Sequence, residues 1–253
     1  MEWTDQAIVL GVRKHGETSV IAELMTRDHG RALGLVQGGR SRRMRPLLQP
    51  GNSLLATWRA RLDEHLGQFR IEGDNLRAAR LLDIPHAIFA LQVLATHTRL
   101  LPERDSHAGL YDALLVVLDN LEQAEAAGKL LVRFELALLD ELGFGLDLSR
   151  CAVTGAAGRL SHVSPKTGGA VGPETAAPYA DRLLVLPPFM LAGSDGSGTV
   201  AARDIEHGLH LTGHFLQRHI YGPRAIAIPP ERASLAKALA RALNAPKSRQ
   251  DSS

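Results

Sequence analysis

The first part of the chain alternates between apolar and polar residues with a period of two, the pattern of β-strands that bury one face. In the segment 19–26, Val20, Ala22 and Leu24 share one face, and a turn at Gly30 follows the segment. Applied along the N-terminal part, this pattern predicts five strands, at residues 7–13, 19–26, 31–37, 53–61 and 66–72.

Five short antiparallel strands in about seventy residues predict a small closed barrel, and the OB-fold is the commonest barrel of this size that binds oligonucleotides. Trp58 and Phe69 fall within predicted strands, where they either pack in the barrel core or offer stacking surfaces; we favour the core. Aromatic residues make up only 4% of the chain, so any nucleic acid would be bound mainly through its phosphates.

After Asn75 the apolar period changes to between three and four residues, which indicates α-helices. Leucines at this spacing run from Leu110 to Leu121, and a second such stripe runs from Leu131 to Leu142 before Gly143. The pattern predicts helices at residues 86–101, 110–121, 131–142, 200–221 and 231–244.

Composition divides the chain further, because glycine, proline, serine and threonine dominate residues 151–198. The predicted fold class is α+β, an N-terminal OB-fold β-barrel followed by an α-helical bundle with an irregular insertion. The predicted bounds are 1–75 for the barrel, 76–149 plus 200–244 for the helical domain, 150–199 for the irregular subdomain and 245–253 for a disordered tail.

A cluster of arginines follows the third predicted strand without any acidic neighbour. Four arginines lie within six residues, and Pro46 and Pro50 limit helix formation, so we predict an extended and exposed loop. Such a cluster is suited to a polyphosphate backbone, since guanidinium groups offer planar donor forks to phosphate oxygens. The alternative is a solvated loop that only aids solubility. The cluster consists of Arg40, Arg42, Arg43 and Arg45.

Charge and composition restrict the other possibilities. The net charge is only +2, so affinity for nucleic acid has to come from local patches. The single Cys151 excludes an internal disulfide and fits a reducing compartment. We expect no signal peptide and no membrane span, because the N-terminus is polar and no apolar run is long enough.

Catalytic motifs are incomplete in this sequence. The glycine turn Gly196–Gly198 lacks the surrounding βαβ pattern of a dinucleotide site. His210 and His214 have the spacing of a zinc protease motif, but Leu211 stands where that motif needs its glutamate, and His207 shares their face. We therefore expect that the protein is not an enzyme.

Several segments together resemble the RecO family of bacterial recombination mediators, and the resemblance covers nearly the whole chain in order. The middle segment, 133–145, is similar to the family's most recognisable helix. The other matching residues are Ala7–Leu10, Gly16–Ser19, Thr26, Gly30–Arg31, Gly38–Arg40, Leu148, Cys151, His219–Gly222 and Arg232.

This resemblance implies a cytoplasmic, nucleoid-associated protein that binds single- and double-stranded DNA and anneals complementary strands. It also implies work with RecR to load RecA onto DNA coated by the single-stranded-DNA-binding protein, SSB. Besides the four clustered arginines, we expect DNA contacts from three that lie on or beside barrel strands: Arg31, Arg59 and Arg61.

Many members of the family carry a zinc site made of two Cys-x-x-Cys pairs after the middle helix, and this chain departs from that pattern. The corresponding positions are Cys151, Thr154, Gly172 and Thr175, and His162 could add only one more ligand. Because a structural zinc normally needs four ligands, we predict no zinc and no other cofactor.

The family resemblance also implies that the acidic C-terminal tail of SSB docks on the helical domain. The expected contacts are Leu130, Arg133, Phe134 and Ala137. The alternative for Arg133 is an exposed pair with Asp140 or Glu141 within the helix.

Two other functions stay open from the sequence. The barrel and basic loop fit an RNA- or ribosome-associated OB-fold protein equally well, since neither feature distinguishes DNA from RNA. An interaction scaffold or an unrecognised enzyme built on the helical bundle is the third possibility.

Overall fold

The computed structural model describes residues 1–62, 65–191 and 200–245, in two compact units, Met1–Glu122 and Gln123–Ser253. The glycine turn at Gly196–Gly198 and residues 246–253 of the predicted tail lie outside the described residues. Across the three described ranges, none of the helices has the length and apolar character needed to cross a membrane.

A closed barrel of five strands forms the first part of the N-terminal unit, as the alternating pattern predicts, and its strand order is β1-β2-β3-β5-β4. This arrangement confirms the prediction of an OB-fold barrel followed by a helical region. The strands are β1 (Glu2–His15), β2 (Ser19–Thr26), β3 (Gly30–Val36), β4 (Ser53–Arg59) and β5 (Gln68–Gly73).

The barrel core contains the side chains that the alternation places inside. Trp58 is 1% exposed and donates its indole N–H to the carbonyl of Leu66 at 3.1 Å, which satisfies its only polar group. Phe69 is 5% exposed and packs over Gly34, where an added Cβ would lie 2.4 Å from the ring. Both aromatic residues are therefore core residues.

Strand β1 is longer than the sequence pattern indicates and divides its pairing between two neighbours. Its first half, Glu2–Ile8, pairs with β4, and its second half continues to His15 beside β2. The sequence prediction missed the first five residues because most of them are polar. The β1–β2 hairpin therefore extends beyond the part of β1 that is paired with β4.

Three helices complete the N-terminal unit, and a buried arginine attaches them to the barrel. Arg77 is 1% exposed and donates to Asp119 at 2.7 and 3.0 Å, to the Gly51 carbonyl at 2.7 Å and to the Ser53 hydroxyl at 2.9 Å. The helices are α1 (Ala78–Leu81), α2 (Pro85–Thr98) and α3 (Ala108–Asp119).

The second unit combines helices with a small three-stranded sheet of order β7-β6-β8 in the predicted irregular region. The sequence-based domain bounds, which group all the helices in one domain, stay a prediction. The strands and α-helices are α4 (Ala124–Glu141), β6 (His162–Val163), β7 (Ala170–Val171), α5 (Pro173–Ala176), β8 (Leu184–Val185), α6 (Ala202–Leu216) and α7 (Glu231–Asn244). Two 3-10 helices, Ala177–Arg182 and Pro188–Met190, and a π-helical turn, Gln217–Tyr221, complete the unit.

A buried ion pair joins three of these helices. Arg232 of α7 donates from Nε and Nη2 to the two carboxylate oxygens of Glu135 of α4, each at 2.8 Å. Thr212 of α6 donates its hydroxyl to the same carboxylate, and Arg232 also donates to the Leu209 carbonyl. Because Glu135 is fully buried, these donors supply the compensation that its charge needs.

Candidate nucleic-acid interface

The arginine cluster lies in the basic loop, residues 37–52 between β3 and β4. The prediction of an extended loop is wrong, because the backbone folds into consecutive turns. The Ser41 carbonyl accepts from the Arg45 N–H at 3.0 Å, and the Met44 carbonyl accepts from the N–H groups of Leu47 and Leu48 at 3.1 Å. Pro46 lacks an N–H donor, but these turns use none at that position, so the proline is compatible with them.

Hydrogen bonds fasten both ends of the basic loop to the β1–β2 hairpin. At one end, the Arg40 N–H donates to the Thr18 carbonyl at 3.0 Å, and its Nη1 donates to the Glu17 carbonyl at 2.6 Å. At the other end, the Gly51 N–H donates to the Val9 carbonyl at 2.9 Å. The loop is therefore held in place on the barrel.

The charges of the basic loop face solvent while its apolar residues face the barrel. Leu48 is only 3% exposed and belongs to the barrel core, whereas the arginines are exposed. Within the described part of the chain, none of these arginines has a carboxylate at ion-pair distance. The result is an uncompensated positive patch formed by Arg40, Arg42, Arg43 and Arg45.

The other three predicted DNA contacts lie in different surroundings. The Arg31 side chain is 14% exposed and pairs with Glu23 at 3.0 Å and Glu103 at 3.3 Å, so its charge is already compensated. Arg59 has a side chain that is 79% exposed and has a carboxylate oxygen of Glu2 3.7 Å away. Arg61 is exposed beside it.

Arg59, Arg61 and His65 line a cavity of about 800 Å³ at the connection between β4 and β5. In OB-folds this connection and the one between strands 1 and 2 flank the oligonucleotide site. Both lie near the end of β3. The Leu35 N–H donates to the Gly67 carbonyl of the β4–β5 connection at 3.0 Å, and the basic loop, which begins directly after β3, is bonded to the β1–β2 connection through Arg40 and Thr18. The arrangement can hold a chain of phosphates.

A basic residue that the sequence interpretation missed also lies near the basic loop. Lys14, near the end of β1, lines a groove of about 330 Å³ together with Arg40 and Arg45 of the loop. Its signal in the sequence was the basic run 13–15 directly before the turn at Gly16, which becomes informative only once the hairpin and the loop are known to be adjacent.

The predicted SSB contacts all belong to α4 but differ in exposure. Leu130 and Ala137 are half-buried, and Phe134 is 2% exposed, so its ring lies in the core and offers no open surface. Arg133 donates from Nε and Nη2 to the Phe189 carbonyl at 3.2 and 2.8 Å, which fixes its guanidinium beside α4.

The four positions that correspond to the family's zinc ligands line one cavity of about 230 Å³. One thiol, two hydroxyls and a glycine do not fit a zinc site, which takes thiolates, imidazoles or carboxylates. No group of three such side chains that could hold a metal occurs in the described ranges. The residues are Cys151, Thr154, Gly172 and Thr175.

Hydrogen bonds take the place of metal ligands around the single cysteine. The Thr154 hydroxyl and the backbone N–H groups of Thr154, Gly172 and Val153 all donate to Cys151, and these bonds lower the pKa of the thiol from 9.0 to about 6. The side chain is 3% exposed. His162 does not join this group; its Nδ1 is 2.9 Å from the Ser161 hydroxyl.

A closed five-stranded barrel with an arginine-rich loop fastened beside its first connection belongs to the class of OB-fold nucleic-acid-binding proteins. Two family profiles match the chain: "Recombination protein O N terminal" over residues 1–72 and "Recombination protein O C terminal" over residues 81–225. The chain belongs to the RecO family of DNA repair and recombination proteins.

Three relatives that carry the name DNA repair protein RecO match this chain over nearly its whole length. The chain is 56% identical to the DNA repair protein RecO of Mesorhizobium japonicum over 239 residues, 94% of each chain. It is 55% identical to the protein of that name from Rhizobium etli, over 96% of this chain and 94% of the relative. A RecO from Chelativorans sp. is 56% identical over 96% of this chain and 97% of the relative.

Proposed function

We propose that the protein is a recombination mediator that binds single- and double-stranded DNA, anneals complementary strands and, with RecR, helps to load RecA on SSB-coated DNA. It acts by binding, without a bond-making step, in the cytoplasm at the nucleoid. The observation that carries this proposal is the fastened basic loop, whose exposed arginines have no carboxylate partners in the described chain.

The physical basis of annealing is charge neutralisation. Two DNA strands repel each other across short distances, since the screening length is about 10 Å at 0.1 M salt. Arginines that bind phosphates lower this repulsion and release condensed counterions. Because the loop is held by Arg40 and Gly51 at its ends, its guanidinium groups bind phosphates without first ordering the backbone.

An annealing assay with SSB-coated strands tests this function. Replacing the loop arginines together by Ala is expected to slow annealing by about tenfold or more, because several phosphate contacts are lost at once. The matched control replaces four exposed cations of the second unit, Arg182, Arg203, Lys237 and Arg241, and should anneal at the wild-type rate. The test variant replaces Arg40, Arg42, Arg43 and Arg45.

Wild-type annealing by the loop variant would contradict the proposal. An RNA pair serves as the second substrate in the same assay. Annealing of RNA but not of SSB-coated DNA would favour the RNA- or ribosome-associated alternative.

The proposed docking of the SSB tail on α4 has its own test. Arg133 offers a positive charge beside the half-buried Leu130 and Ala137, a combination that fits an acidic tail with an apolar end. In a titration with an SSB tail peptide, Arg133→Glu should weaken binding by about tenfold or more, because it replaces attraction by repulsion. Arg182→Glu, at an exposed site, is the control. Unchanged affinity for the Arg133 variant would refute the assignment.

A further inference from the structure

A groove runs between the β1–β2 hairpin and the basic loop. In the ladder between these strands, Val12 lies opposite Ala22 and Lys14 lies opposite Val20. Directly opposed residues in an antiparallel ladder point to the same face, and Val20 and Ala22 belong to the barrel core. Val12 and Lys14 therefore point to the concave side of the hairpin, beyond the part of β1 paired with β4.

The basic loop forms the opposite wall of this groove. Gly39 approaches the hairpin so closely that an added Cβ would lie 2.5 Å from a methyl group of Val20. Leu48 packs behind it in the core. The groove has a volume of about 330 Å³, and Val12, Lys14, Arg40 and Arg45 are among the residues that line it.

The lining of the groove combines positive charge with an apolar floor. Lys14, Arg40 and Arg45 are cations, and among the described residues none of those that line the groove is acidic. Arg40 is held in place by the carbonyls of Gly16 and Glu17, at 3.3 and 2.6 Å. Val12 is 43% exposed and lines the groove together with these cations, so its apolar side chain is accessible to a bound molecule.

We infer that this groove binds single-stranded DNA, with one nucleotide on the floor at Val12 and its flanking phosphates on Lys14, Arg40 and Arg45. This inference rests on the proposed function and specifies the form of DNA that the site takes. Single strands offer both a phosphate backbone and free base faces, whereas a duplex covers its base faces by stacking.

The size of the groove supports the same occupant. Its volume lies at the lower end of the range for small-ligand pockets, about 300–1,000 Å³, and thus fits a single nucleotide. A duplex is far wider than a single nucleotide, since its major groove alone measures about 12 Å. Duplex DNA can therefore contact the exposed loop arginines but leaves the floor at Val12 uncovered.

Fluorescence anisotropy with the full-length protein tests this inference. The probes are a labelled 20-nucleotide single strand and the duplex of the same sequence, at one ionic strength. We expect Val12→Asp to weaken single-strand binding by about tenfold, because it adds a carboxylate among three cations and removes the apolar floor. Duplex binding should weaken clearly less, because a duplex feels the new charge at the loop arginines but makes no contact with the floor. Lys14→Ala should weaken single-strand binding by about threefold and lower its salt slope by about 0.7.

The control variant carries the same new charge elsewhere on the barrel. Leu55 of β4 is 38% exposed, and Leu55→Asp should leave both affinities within about twofold of the wild type. Lys14 is exposed, so its replacement by Ala keeps the test valid even if Val12→Asp impairs folding.

The outcomes distinguish this inference from the proposed function. Equal losses for single strand and duplex, or an unchanged single-strand affinity in both variants, would overturn the groove assignment and leave the mediator proposal intact. A wild-type protein that binds neither form of DNA would overturn both.

Discussion

Arginine residues occupy three kinds of environment in this protein. Arg77 and Arg232 are buried in ion pairs with partners 42 and 97 residues away, and Arg31 pairs with two glutamates at the barrel surface. Arg42 and Arg43 in the basic loop are exposed. The sequence predicted the exposed cluster from its local composition, but it could not separate Arg31 from it, because the partners that compensate Arg31 are brought near only by the fold.

The buried pair of Glu135 and Arg232 gives a prediction about stability. Glu135→Ala should lower the free energy of unfolding by about 3–5 kcal/mol, because it leaves the Arg232 charge buried without a partner. Denaturant unfolding followed by circular dichroism measures the change. Glu206→Ala, at an exposed site on α6, should stay within about 0.5 kcal/mol of the wild type. A similar loss in both variants would contradict this account.

The hydrogen bonds to Cys151 give a prediction about its titration. Thr154→Val removes the largest of these contributions, so the pKa of the thiol should rise from about 6 toward its ordinary value. Thiolate absorbance during a pH titration reports this directly, and Thr167→Val is the control. An unchanged titration in the Thr154 variant would show that its hydroxyl does not stabilise the thiolate.

The same pKa has a consequence for stability. Because the folded-state pKa lies below the unfolded value, the unfolded chain binds more protons between these two values. The contribution of Cys151 to stability is therefore complete above pH 9, declines as the pH falls toward 6 and is absent below that. Cys151→Ser should remove this part of the pH dependence, which denaturant unfolding measured between pH 6 and 9 reports. A free energy of unfolding that varies with pH in the same way in the variant and the wild type would argue against this contribution.

At the scale of elements, the sequence predicted each barrel strand and the main helices but not the conformation of the basic loop. Alternation is a local signal, and it located β2 over Ser19–Thr26 with the bounds that the structure has. The turns of the loop depend instead on Asn52, which lies after them in sequence. Its amide donates to the Pro46 and Leu47 carbonyls at 2.8 and 3.1 Å, and its oxygen accepts from the Ala78 N–H at 2.9 Å.

Asn52 therefore tests whether the folded loop, and not only its charge, is needed for binding. Asn52→Ala should lower the free energy of unfolding by about 1–3 kcal/mol, because it leaves the buried Ala78 N–H and two partly buried loop carbonyls without their partner. DNA affinity should fall severalfold although every arginine is present, and amide hydrogen exchange in the loop should become faster.

Asn120→Ala is the matched control for this variant, because its amide makes a single exposed bond to the Val116 carbonyl. It should leave affinity and loop exchange unchanged. Wild-type affinity in a variant with a loosened loop would show that charge alone determines binding.

At the scale of the whole molecule, the net charge does not reveal the local positive patch on which the proposed DNA binding depends. The chain carries 29 Lys and Arg against 27 Asp and Glu, close to balance, yet the basic loop contains none of the acidic residues. The sequence thus predicted a local positive patch. It could not show that Lys14 of the β1–β2 hairpin lines the same groove, because that proximity follows from barrel closure.

The central claim is that the arginines of the basic loop bind DNA phosphates. Its most direct test is the salt dependence of DNA affinity for the wild type and for the variant with Arg40, Arg42, Arg43 and Arg45 replaced by Ala. If each arginine binds one phosphate, the slope of log K against log salt for duplex DNA should decrease in magnitude by about 3.6, from about 0.9 per contact. An unchanged slope would contradict the claim.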